Sequence, residues 1–112
     1  MLSPFILASA LAIGQADLDR GDELNRAYVE CMFATSRSAH ERQLSSEEFS
    51  RLLASACKAE RESFHSFIVD ILQRRGKSAF EAEAEWMRLE AAGRASVERA
   101  YAVGAKVPAG QQ

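Results

Sequence analysis

Apolar side chains recur every three or four positions along most of this chain, so its elements read as amphipathic helices. In the first, residues 22–38, Leu24, Tyr28, Cys31 and Thr35 share one face and Asp22 is placed to cap the start. Val29, Met32 and Phe33 widen that face beyond one narrow seam. A short polar linker, 39–44, contains His40. The second segment opens on Ser45-Ser46-Glu47-Glu48, where Ser45 and Glu48 have the spacing of a capping box. An apolar stripe then runs from Phe49 through Leu53, Cys57, Phe64, Phe67 and Ile71 without a break, which predicts one helix of about seven turns. Gln73-Arg74-Arg75-Gly76 ends it, because cations suit the negative helix end and Gly tolerates the left-handed position beyond.

The third segment repeats this logic. Ser78 and Glu81 form a second capping box, and Ala79, Ala82, Trp86, Leu89, Gly93, Val97, Ala100 and Tyr101 are predicted to face inward. Glu90/Arg94 and Arg94/Glu98 stand four apart as surface ion pairs. The predicted fold is all-α: a three-helix antiparallel bundle, made of a helical hairpin plus a third helix, over residues 17–104, with a disordered tail at 105–112. No internal repeat or low-complexity block interrupts it.

Composition narrows the function classes. With 112 residues, 47% of them hydrophobic, the chain is one small domain rather than a disordered segment. Only two prolines and six glycines agree with helices. Fourteen basic and sixteen acidic residues give a net charge of −2 with no basic block, which argues against a nucleic-acid partner.

Residues 1–16 carry no charged side chain and contain the apolar run Phe5-Ile6-Leu7-Ala8-Ser9-Ala10-Leu11-Ala12-Ile13. That run has the length of a signal-peptide core and is too short to span a bilayer, while Ala10-Leu11-Ala12 or Gly14-Gln15-Ala16 supplies the small residues of a cleavage site. Residues 1–16 therefore read as a signal peptide despite lacking a basic start, with a buried N-terminal helix and a membrane-surface anchor as alternatives. The expected location is periplasmic or secreted, with no stable membrane span after cleavage. In that compartment the two cysteines, Cys31 and Cys57, are expected to pair. Both lie on apolar stripes that an antiparallel hairpin brings face to face, the alternative being two buried thiols.

Candidate chemistry is sparse. Cys31, His40, Cys57 and His65 match a zinc ligand count, but Cys57 and His65 are eight apart, roughly 12 Å along one helix, too far to chelate together. Glu62-Ser63-Phe64-His65 is an E-x-x-H, the spacing by which di-iron bundles present two ligands from one helix. Those bundles need two copies, so Glu62 and His65 would hold metal only across a homodimer; otherwise they are an exposed pair beside Phe64. No Gly-rich phosphate loop and no nucleophile with a matched base stands out, so an enzyme and a bound cofactor are not expected.

Tyr28-Val29-Glu30-Cys31 with Ser55-Ala56-Cys57-Lys58-Ala59-Glu60 resembles a class of small exported bacterial helical proteins of unknown function with a Y-x-x-C and A-C-x-x-E cysteine pair. The resemblance covers roughly residues 24–70 and implies a disulfide-linked helical hairpin without any activity. Leu44-Ser45-Ser46-Glu47-Glu48 is fainter in its similarity to the L-T-x-x-Q helix start of periplasmic chaperones of the Spy and CpxP type, with Glu48 where that motif has Gln. The leading expectation is an exported, non-enzymatic protein-binding module, chaperone-like or stress-related, whose partner is another envelope protein or a second copy. Val29, Met32, Phe33, Phe64 and Phe67 carry the surplus apolar surface, unless they merely complete the core. The alternative is a periplasmic metal-binding or metal-sensing protein using Glu62 and His65.

Overall fold

Both capping boxes form as the sequence dictates. Ser45 Oγ accepts from the Glu48 amide at 3.1 Å and the Glu48 carboxylate accepts from the Ser45 amide at 2.8 Å. Ser78 and Glu81 repeat the exchange at 3.0 and 2.9 Å. In the computed structural model, which describes residues 14–106, these starts belong to two of four helices: α1 (Gln15–Glu41), α2 (Ser46–Ser55), α3 (Lys58–Arg74) and α4 (Ala79–Lys106). Among the described residues there is no strand, and no helix is long and apolar enough to cross a membrane. Of the segment read as a signal peptide, residues 1–13 lie outside the described residues, while Gln15 and Ala16 open α1. Most of the tail predicted at 105–112 also lies outside them, although α4 reaches Lys106.

The structure corrects three sequence expectations. First, α1 extends beyond 22–38 at both ends. Its early turns are held by Gln15 bonding Asp19 at 2.9 Å and by an Arg20–Glu23 ion pair, while Asp17 sits at the positive end of the helix. Second, the single long helix expected from Ser45 is two, so among the described residues four helices stand where three were predicted. Ala56 is extended and Cys57 takes the left-handed conformation at φ +60, a region that Cβ sterics disfavour. Third, Ala79, Leu89, Gly93 and Ala100 do not join the buried face of α4, which consists of Ala82, Trp86, Val97 and Tyr101. Arg94 does pair with Glu90, at 3.3 Å, but Glu98 accepts a hydrogen bond from Ser50 on α2.

Helix ends without Pro are closed by backbone geometry. The Gly76 amide donates to Gln73 and that of Lys77 to Leu72, both at 3.0 Å, which is a Schellman motif with Gly76 at φ +100. The same pair of bonds, Gln43 to His40 and Leu44 to Ala39, closes α1, with Gln43 at φ +56. Leu44 is thereby folded back against the core beside Ala39.

The direction of each helix follows from contacts distant in sequence. Arg74 at the end of α3 meets Asp17 at the start of α1 at 3.3 Å, so α3 runs back along α1. Tyr28 reaches Glu90 at 3.0 Å and Tyr101 donates to the Leu44 carbonyl at 2.6 Å, so α4 runs alongside α1 in the same direction. The core lies where all these elements meet. Phe49 and Leu53 from α2 pack with Tyr28, Met32 and Ala39 from α1 and with Val97 and Tyr101 from α4. Tyr101 is stacked between His40 and Phe49, with ring centroids 4.0 and 4.1 Å away. Cys31 and Cys57 sit at disulfide distance, S–S 2.01 Å with Cα atoms 5.8 Å apart, joining α1 to the break between α2 and α3.

Candidate functional site

Along α1, Leu18, Asn25, Val29 and Phe33 follow one another at helical spacing on the same side. None of them is buried, and Phe33 leaves 44% of its surface exposed. Two clefts open along this side and adjoin through Asn25 and Phe64, which line both. The upper, of about 350 Å³, lies between α1 and α4 and is walled by Val29, Met32, Phe33, Trp86, Leu89 and Val97. The lower, of about 310 Å³, is walled by Leu18 and Gly21 of α1 and by Phe67, Ile68 and Ile71 of α3. Together they form one apolar groove following α1 from Leu18 to Phe33, about 22 Å at the helical rise.

Small residues and ring geometry set its shape. At Gly21 a Cβ would stand 3.0 Å from the Phe67 ring, so this glycine lets α3 approach α1 closely. Phe64 meets Trp86 edge to face at 5.5 Å, and the His65 ring stacks on the other part of Trp86 at 5.0 Å. Trp86 is only 6% exposed, whereas Leu89, one turn on, is 47% exposed at the rim.

Tyr28 and Glu90 pair in the upper cleft, whereas Asp22 and Asn25 stand exposed along the groove. Tyr28 donates its hydroxyl to Glu90, and burial, followed by the Glu90 charge, raises the Tyr28 pKa above its ordinary value of 10.0. Glu90 in turn takes the Arg94 guanidinium. Among the described residues no buried side-chain nitrogen or oxygen lacks a hydrogen-bond partner. The buried parts of the walls thus offer contact area rather than an orphaned donor or acceptor.

The structure brings Val29, Met32, Phe33 and Phe64 together in the upper cleft, and places Phe67 in the lower. Met32 is 3% exposed and belongs to the core as much as to the groove. Leu18, Trp86 and Leu89 complete the site, and the sequence reading missed them as contributors to it. Leu18 is recoverable from its seven-residue spacing to Asn25 once α1 begins earlier, whereas Leu89 has the period of an inward position but lies at the rim.

Glu62 and His65 do not share a partner. Glu62 is exposed, whereas His65 Nε2 meets both carboxylate oxygens of Glu83 on α4, at 2.8 and 2.9 Å. Among the described residues no group of three or more His, Cys, Asp and Glu side chains is placed to hold a metal ion. His40 is stacked on Tyr101. No protein-family model, curated protein or solved structure matches the chain.

Proposed function

We propose that this chain is an exported, non-enzymatic helical bundle that binds an apolar segment of another protein in the groove along α1. In this reading α1, the broken α2–α3 pass and α4 serve as the three rods of the bundle, and the groove is a place where a fourth would lie. The observation that carries it is the pair of largely apolar clefts that adjoin at Asn25 and Phe64 and stay open from Leu18 to Phe33. A surface of that kind gains by covering apolar area and demands little directional chemistry of its occupant. Its length, about four helical turns, suits the apolar stripe of an amphipathic helix exposed on an unfolding or unassembled envelope protein. A chaperone-like role follows from such undemanding recognition.

The test uses two rim positions whose replacement leaves the core intact. Phe33→Glu and Leu89→Glu each place a charge in the groove at residues that are 44% and 47% exposed. The wild-type protein is expected to bind a hydrophobic dye and to slow aggregation of a chemically unfolded client, and both variants to lose most of each effect with unchanged circular dichroism. A wild-type protein that binds neither dye nor client would overturn the proposal.

A further inference from the structure

The break between α2 and α3 has no local cause in the sequence. Ala54-Ser55-Ala56-Cys57-Lys58-Ala59-Glu60-Arg61 contains neither Gly nor Pro, and its residues are compatible with helix. Against that, Cys57 adopts φ +60 without being Gly, a conformation that Cβ sterics disfavour. Its side chain caps nothing, so the first turn of α3 begins without the usual N-cap bond. The Arg61 amide bonds the Cys57 carbonyl, while the Cys57 amide, outside both helices, meets no backbone acceptor. A continuous helix would provide one. The residue that bears the unfavourable conformation is also the one joined to Cys31, within 3.7 Å of the Thr35 hydroxyl.

We propose that the Cys31–Cys57 bond is a redox switch of helix continuity: oxidised, it holds Ala56 and Cys57 out of helix, and reduced, it lets α2 and α3 fuse. The step is a thiol–disulfide exchange with a dithiol reductant. Two electrons and two protons pass to the pair, the S–S bond breaks, Cys31 and Cys57 become thiols, and the reductant leaves as its own disulfide. Converting the extended Ala56 and the left-handed Cys57 to helix turns α3 about its axis relative to α2. That rotation carries Phe64 and His65 away from Trp86, their shared neighbour. Phe64 lines both clefts, so the switch also reshapes the groove; that consequence rests on the function proposed above, whereas helix fusion does not.

The whole chain is compared by NMR and fluorescence in oxidised form and in excess dithiothreitol. On reduction the Ala56 and Cys57 Cα shifts should become helical, and exchange of the Cys57 amide should slow about fivefold or more, the factor one net hydrogen bond supplies. Trp86, the one tryptophan of the chain, should lose its contact with His65 and change its emission. Cys31→Ala combined with Cys57→Ala should show the fused state without reductant, while Cys31→Ala with Cys57→Gly should keep the break, because Gly accepts the left-handed position and disfavours helix. A reduced chain that keeps Cys57 left-handed with its amide exchanging rapidly overturns the switch, since packing alone would then hold the break. A chain that unfolds wholly on reduction overturns it too. Fusion with unchanged dye binding would leave the switch standing and count against the groove.

Discussion

Two residues hold left-handed backbone at the ends of Schellman motifs, one with the side chain that suits it and one without. Gly76, at φ +100, has open space where a Cβ would be, so Gly76→Ala should lose stability only through backbone conformation, about 1 kcal/mol. Gln43, at φ +56, is the converse, and Gln43→Gly should raise the urea midpoint by a similar free energy. Tyr101 is 1% exposed and donates to the Leu44 carbonyl, so Tyr101→Phe should cost about 1 kcal/mol by leaving that carbonyl without its partner. Chemical denaturation of each variant checks the signs. Gly76 was legible in the sequence because Gly after a basic run is a strong stop signal. Gln43 was not, since nothing about a glutamine announces positive φ.

Among the elements, α2 and α4 start where their Ser and Glu residues say they should. Ser45→Ala and Ser78→Ala should each cost about 1 kcal/mol in thermal or urea unfolding, and more in combination. The reciprocal bonds, led by the backbone amides of Ser45 and Ser78, hold the Glu48 and Glu81 carboxyls below their ordinary 4.5. A carboxyl with a lower pKa folded than unfolded supports the fold above its unfolded value and withdraws that support as pH falls through its folded one. Stability should therefore decline on acidification below about pH 4.5, and the decline should be shallower in Glu48→Gln and Glu81→Gln. Urea titrations at stepped pH check this. Caps were readable because they are local chemistry. The interruption of the second apolar stripe was not, because Ala56 and Cys57 fit the helical period and only a contact with Cys31, distant in sequence, marks them as different. The inward face of α4 was half legible for a related reason. Trp86, Val97 and Tyr101 find α1, α2 and α3, whereas Leu89 has the right period but overhangs the groove, and Glu90 takes an inner position by bonding Tyr28.

At the scale of the molecule, the link between Cys31 and Cys57 closes a loop of 26 residues, worth about 3.5 kcal/mol in the chain-entropy description. Reduction should lower unfolding stability by up to that amount, a large share for a domain this small. Intact mass of the protein from its native host, before and after reduction, should show a two-hydrogen difference and, under the export proposal, loss of residues 1–16. The groove was legible as a surplus of large apolar side chains on the first two segments, but not as a shape, because its far wall comes from α4, more than fifty residues on from α1. The directions of the helices carry one more consequence. Since α1 and α4 run the same way and α3 runs back along α1, Gly14 stands at one end of the described bundle and the last turn of α4 at the other. Along α4 that separation is about 40 Å at the helical rise. The domain is accordingly a spacer as well as a scaffold: fluorophores attached beside Gly14 and in the last turn of α4 would be held apart rather than brought together.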